Sequence, residues 1–145
     1  MDRSKGIGRC GLACCICTAN EGKCPGCRKD GCPDMDWCLQ YTCSRKKGLH
    51  GCWECADAPC STDNLTEDQL SAVKESSLNK KNMFAGLKMR AFTLFVKQYG
   101  EEKLMDCLER NEKAGVVYHE QGSFCGDYDR CADENAVFNL LLNGK

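Results

Sequence analysis

Twelve of the fifteen cysteines in this chain of 145 residues lie between Cys10 and Cys60, a density that an apolar core neither needs nor tolerates. Thiols so crowded do covalent or metal chemistry. In order they read CGLACCIC (Cys10, Cys14, Cys15, Cys17), CPGC (Cys24, Cys27), then Cys32, Cys38 and Cys43, then CWEC (Cys52, Cys55) and Cys60. Two CxxC pairs, and a third formed by Cys14 and Cys17, set sulfurs on tight turns where two can face one tetrahedral ion at about 2.3 Å. The expected ligands are Cys10, Cys14, Cys17, Cys24, Cys27, Cys32, Cys38, Cys43, Cys52, Cys55 and Cys60, holding two to three zinc ions. Cys15 interrupts the shared spacing and is expected to be spare.

How these thiols divide is open in the sequence. Eleven of them fill two four-sulfur sites with three spectators, or three sites with one ligand of another kind, for which His50 is the nearest imidazole. His50 itself reads more simply as an exposed loop histidine. Sites made wholly of cysteine are closed and keep no position for water or substrate, so structural zinc is expected rather than catalytic zinc. Iron suits the same thiolates, and an iron–sulfur or thiol redox protein is the alternative. Cys10, Cys14 and Cys17 match the CxxxCxxC pattern of radical enzymes that use S-adenosylmethionine. Those enzymes need a long α/β barrel, for which this chain lacks the alternating strands and helices.

Outside the cluster, Cys125 and Cys131 flank Gly126-Asp127-Tyr128-Asp129, with His119 shortly before. An alternative function is a small-molecule-binding protein or enzyme with a site between the lobes near His119 and Asp127, where His119 would act as acid or base beside Asp127 and Asp129. The simpler reading is a tight loop whose aspartates cap turns and whose tyrosine packs on helices. Cys107 reads as a small buried apolar residue. Arg45-Lys46-Lys47, followed by Gly48, reads as a solvated helix end stabilised by the helix dipole.

Charge argues in the same direction. Residues 1–60 carry nine Lys and Arg against seven Asp and Glu, whereas the remaining residues carry eleven against fourteen. Each zinc held by four thiolates adds about two negative charges, so two such sites reverse the sign of the front half. A general nucleic-acid binder needs the opposite. The N-terminus has no apolar run of a secretory signal and no stretch is long enough to span a membrane, so a reducing cytoplasmic setting is expected.

The elements that position the sulfurs differ in kind along the chain. Residues 1–9 read as a disordered or loosely docked arm, and 10–60 as loops and knuckles punctuated by glycines and all three prolines. Gly26, inside CPGC, sits where a metal-closing turn calls for positive φ. A short helix near 36–47 is expected to end at Gly48, with Cys38 and Cys43 on different faces. Residues 61–66 read as a polar linker, followed by a helix from Thr66 to about Leu78 and a turn at 79–82. Phe84, Leu87, Ala91, Leu94 and Phe95 recur at helical spacing up to Tyr99, with Gly100 as the stop. A further helix is expected from Glu101 to about Ala114, a strand at 116–119 (VVYH), a glycine-rich acidic loop at 120–132, and a last helix capped by Asp133 and running to Asn143.

The front half holds few large aliphatics and could not fold on burial alone. The fold class expected is therefore mainly α with an irregular metal-organised region: a zinc-knuckle lobe at 1–62 packed on a small helical lobe at 63–145.

CGLACCIC, CPGC and CLQYTCSRKKGLHGCWECADAPC together resemble the prokaryotic cysteine-rich family catalogued as domain of unknown function 3795. The resemblance covers roughly residues 10–62. It places Cys10, Cys14, Cys17, Cys24, Cys27, Cys38, Cys43, Cys52, Cys55 and Cys60 at the family's cysteine positions, with Cys32 as a further one and Cys15 as an addition. NEKAGVVYHEQG and GDYD are similar to the tail of longer members. The resemblance implies zinc and leaves the biochemical role open. The expected function is a non-enzymatic zinc-binding module acting in protein interaction or regulation through an unknown protein partner.

Overall fold

The structure is a computed structural model that describes residues 1–18, 23–31, 38–60, 86–120 and 125–144. Among the described residues there are four α-helices and no strand: α1 (Leu39–Lys46), α2 (Leu87–Tyr99), α3 (Glu101–Lys113) and α4 (Glu134–Asn143). The expected linker at 61–66, the helix from Thr66, the turn at 79–82, Phe84, Cys32 and the middle of the 120–132 loop lie outside the described residues.

Helix α2 is the element on which the others pack: α3, α4, the 3-10 turn at Cys52–Glu54 and the one at Asp127–Arg130 all contact it. Ala91, Phe92, Phe95 and Val96 recur at helical spacing and all are buried. Phe92 meets Tyr128 edge-on at 5.4 Å, and Phe95 meets Phe138 of α4 at 5.2 Å. Gly100 ends α2 at φ 89, where its N–H reaches Val96 O, and the same residue opens α3. A single glycine therefore makes the corner between two helices that pack on each other.

Helix α3 starts with Glu101 and Glu102 and ends with Arg110 and Lys113, the polarity the helix dipole favours. It buries Leu104, Met105, Cys107, Leu108 and Asn111. Asn111 is a buried polar residue with its bonds made: Nδ2 donates to Tyr128 Oη at 3.0 Å and to Leu140 O at 2.8 Å. The second of these adds to a carbonyl in the last turn of α4 that also accepts from Gly144 N at 3.0 Å. Helix α4 begins as its sequence predicts, with Asp133 Oδ1 accepting from Ala136 N at 2.8 Å.

Two expectations are corrected. The arm at 1–9 is docked, not loose. Ile7 is fully buried in the core, Asp2 N donates to Cys15 O at 2.7 Å, and Ile7 N donates to Glu101 Oε1 at 3.0 Å. Arg3 reaches Glu102 and Asp106 at 2.9 Å and Glu109 at 3.4 Å, three acids that helical spacing lines up on α3.

The expected strand at 116–119 is irregular backbone. Asp127 N donates to Val117 O at 2.7 Å, but the Val117 N–H is taken by the Asp127 carboxylate at 2.7 Å. A side chain occupies the place a neighbouring strand would need, so no ladder starts.

One apolar core spans both halves of the chain. Ile7, Ala13 and Cys15 from the front pack with residues of α2, α3 and α4 and with Val116, Tyr118 and Tyr128. A separate small cluster is made of Cys52 and Ala58, with Cys55, Cys60 and Met89 against it. Sulfur stands there where aliphatic carbon would ordinarily be.

Candidate metal centre

The CGLAC stretch is folded by local backbone bonds into consecutive turns. Gly8 N donates to Leu12 O at 2.7 Å, Gly11 N to Gly8 O at 2.9 Å and Cys17 N to Cys14 O at 3.3 Å. Gly11 adopts φ +93 and lies flat on α2, where a Cβ would sit 2.4 Å from Thr93 Oγ1 and 2.9 Å from Met89 O. Only glycine permits both the turn and the approach. Thr93 Oγ1 in turn donates to Cys10 O at 3.1 Å, and Tyr118 Oη accepts from Ala13 N at 2.9 Å. The sulfur-bearing turn is thus clamped from two sides by the helical part of the chain.

Cys14 and Cys27 share the space above Gly8. A Cβ on that glycine would stand 2.9 Å from Cys14 Sγ and 3.4 Å from Cys27 Sγ. A hydrogen bond with Cys27, followed by burial, pushes the Cys14 thiol far above its ordinary value. The Arg9 amide donates to Cys27 Sγ at 3.1 Å. Gly26 has φ +92, the positive value expected of the CPGC turn, and leads into the 3-10 turn Cys27–Lys29. Cys24 Sγ lies 4.0 Å from Gly31 O.

A second group gathers around Cys52. Its N–H donates to Arg9 O at 2.8 Å, and its Sγ lies 3.9 Å from Gln40 O. Cys38 is the N-cap of α1: its Sγ accepts from Tyr41 N at 3.4 Å and lies 3.5 Å from Gln40 Oε1. Gln40 Nε2 reaches Met89 Sδ at 3.3 Å and ties α1 to α2.

Burial pushes Cys10 up, and Cys38 is the sulfur that adds most to this, ahead of Cys14. Burial also pushes Cys52 up, with Cys10, Cys60, Cys43 and Cys38 all adding to it. Cys60 is raised to about 11, by burial first and then by Cys55 and Cys43. Cys43, five residues beyond Cys38, adds to the shifts of Cys52, Cys60 and Lys47.

One cation is set among these sulfurs. Lys47 Nζ donates to Cys55 Sγ at 3.5 Å and lies 3.9 Å from Asp57 Oδ2. Burial opposes its charge, yet Cys55, Cys43 and Asp57 outweigh burial and hold its pKa above the ordinary lysine value.

The donor set suits a soft divalent ion. Every described cysteine is a free thiol. Thiols whose pKa is raised by burial and by neighbouring sulfurs resist ionisation until a cation replaces their protons. Backbone amides donate to the sulfurs of Cys27 and Cys38, as outer-shell donors do around metal-bound sulfur. Among the described residues, however, no group of three or more His, Cys, Asp or Glu side chains is placed so as to hold an ion. The grouping is one of pairs and neighbourhoods, and Cys32 lies outside it.

The remaining sequence candidates are placed as follows. Cys15 is buried in the apolar core, which together with Cys14 raises it to about 12. Cys107 is likewise a core residue. His50 is exposed, and its amide donates to Glu54 Oε2 at 3.4 Å. Cys125 is exposed, and Cys131 Sγ lies 3.6 Å from Asp127 O.

Asp127 holds Val117, while Asp129 accepts from Gly126 N at 2.7 Å and from Lys88 Nζ at 2.9 Å. His119 stacks beside Tyr118 at 4.3 Å; burial and then Lys88 lower it to about 4. These aspartates fasten turns and Tyr128 packs in the core, as the simpler reading of the loop has it.

Lys88 was missed in the sequence. It is buried on α2, its Nζ 4.1 Å from the centre of the Tyr118 ring. The available signal was its place three and four residues before Ala91 and Phe92, on the apolar stripe.

No family model, curated protein or solved structure matches this chain.

Proposed function

We propose that the chain is a zinc-binding protein in which two to three ions hold the cysteine-rich front half as a zinc-knuckle lobe against the helices. The ions are structural, and the protein acts in the cytoplasm as an interaction or regulatory module. One observation supports this reading above others. Burial first, and then sulfurs from separate stretches of sequence, raise the thiols of Cys10, Cys52 and Cys60: Cys38 acts on Cys10, Cys10, Cys60, Cys43 and Cys38 act on Cys52, and Cys55 and Cys43 act on Cys60. Such a cluster costs folding free energy as thiolates alone and returns it when a divalent cation takes the protons' place.

The resemblance to domain of unknown function 3795 points the same way on the metal and adds nothing on the role. No described helix is long and apolar enough to cross a membrane. Elemental analysis of the purified full chain tests the proposal. Two to three zinc per chain with negligible iron is expected; an iron-rich, coloured protein moves the assignment to an iron–sulfur protein, and a metal-free folded chain removes it.

A further inference from the structure

Spacing along the chain offers two CxxC dithiols in this region, Cys14 with Cys17 and Cys24 with Cys27. The fold pairs across them. The Cys14 thiol shares a hydrogen bond with the Cys27 side chain, and its sulfur also accepts from the Cys27 amide. A Cβ on Gly8 would stand 2.9 Å from Cys14 Sγ and 3.4 Å from Cys27 Sγ, so both sulfurs reach one small volume that only a glycine leaves open. A Cβ on Gly26 would stand 3.3 Å from Cys14 Cβ, which sets that side chain against the residue before Cys27. Cys24 Sγ lies by Gly31 O, at 4.0 Å.

The backbone at both ends is held. Cys14 N donates to Leu12 O at 3.1 Å and Cys17 N to Cys14 O at 3.3 Å, while Gly26 O accepts from Lys29 N at 3.2 Å and from Gly31 N at 3.3 Å. Two cysteines bond without backbone movement only when their side chains already meet, which is the case here. Two sulfurs complete a disulfide, whereas among the described residues no third His, Cys, Asp or Glu joins this pair to hold an ion.

We infer that Cys14 and Cys27 are a site of reversible disulfide formation, with a peroxide as the oxidant. Cys14 is half-buried and Cys27 buried, so the oxidant meets Cys14. One peroxide oxygen passes to the Cys14 sulfur, giving a sulfenic acid and a water; the Cys27 sulfur then displaces that hydroxyl, which leaves with the Cys27 proton as a second water. The two thiols give up two electrons and the peroxide takes them. A small thiol such as glutathione reverses the bond by exchange. Burial and the bond to Cys27 keep Cys14 protonated, so the pair answers to sustained peroxide and not to traces.

The inference goes beyond the zinc reading and does not need it, because the bond uses two sulfurs and no ion. Any ion bound to either sulfur is released when the bond closes.

The test treats reduced full-length protein with hydrogen peroxide, alkylates the remaining thiols at timed intervals, and assigns the linked peptides by fragmentation in a mass spectrometer. A Cys14–Cys27 linkage is expected first, and reduced glutathione is expected to remove it. A first linkage within either CxxC, no Cys14–Cys27 linkage at completion, or a linkage that glutathione leaves in place overturns the proposal. Cys24→Ser should keep the linkage and Cys27→Ser should lose it; its loss in Cys24→Ser also counts against the pair.

Zinc counted by native mass spectrometry on the same reduced samples separates the two readings. A zinc-free chain that forms the bond supports the pair and removes the zinc, whereas a zinc-loaded chain that links elsewhere first removes the pair and keeps the zinc.

Discussion

Tyr118 Oη accepts a hydrogen bond from the amide of Ala13 at 2.9 Å, joining the core of the helical half to the turn that carries Cys10, Cys14 and Cys17. Both residues are buried. Tyr118→Phe keeps the ring and strands the Ala13 N–H, which costs about 1–3 kcal/mol. Urea unfolding should show that loss, and zinc should leave the variant faster under a competing chelator. An unchanged off-rate would mean that the bond holds the fold but not the sulfur turn.

Two glycines of similar φ should respond differently to alanine. At Gly100 (φ 89, ψ 163) a Cβ meets nothing within 4 Å, so Gly100→Ala pays only for a backbone region open almost solely to glycine, about 1–3 kcal/mol. At Gly11 (φ +93) the same methyl also runs into Thr93 Oγ1 at 2.4 Å and Met89 O at 2.9 Å. Gly11→Ala should therefore be the more destabilising in thermal melts and should cost zinc as well; equal losses would mean the turn can move off α2.

Ile7→Ala removes a fully buried side chain from a segment that sequence reasoning treats as a loose arm. A loss of about 2–5 kcal/mol is expected. A change under about 0.5 kcal/mol, as at surface positions, would show that the arm contributes nothing to the core.

Acid should weaken the fold through His119. Its folded pKa is about 4, lowered from 6.5 by burial and then by Lys88. Above about 6.5 neither state binds the proton. As pH falls from 6.5 towards 4, the unfolded chain takes it up while the folded chain does not, so stability declines across that window. His119→Asn should flatten that part of the stability profile relative to wild type. An unchanged slope would assign the acid loss to other groups, the sulfur sites among them.

On the zinc reading proposed above, replacing Cys24 and Cys27 together by serine should release the front half, because metal binding would carry much of its folding free energy. Amide exchange in residues 6–17 should accelerate while α4 stays protected. A fully protected front half would remove both residues from the ligand set.

The helices were legible where periodicity, a stop and a cap agreed. Asp133 caps α4, Gly100 divides α2 from α3, and Gly115 follows α3 at φ +91, as the sequence implies. The strand at 116–119 was misread because β-branched residues give a propensity, whereas the Asp127 carboxylate ten positions away decides who receives the Val117 N–H.

The docked arm escaped notice for a related reason. Glu102, Asp106 and Glu109 form a visible stripe, but nothing local says that Arg3 will meet it. Sulfur identity was legible in the sequence, while sulfur grouping was not. The placement of the turn that carries Cys10 and Cys14 depends on Gly11 fitting against Thr93, a tertiary contact between residues eighty-two positions apart.

The Thr93 hydroxyl is bonded to the carbonyl of Cys10, and the neighbouring backbone of α2 lies directly under Gly11. Any tightening of the front turn is therefore felt by a helix that carries no cysteine. A fluorine or isotope label near Met89 or Thr93 would register metal loading at a distance, and the sulfurs themselves would be left chemically untouched.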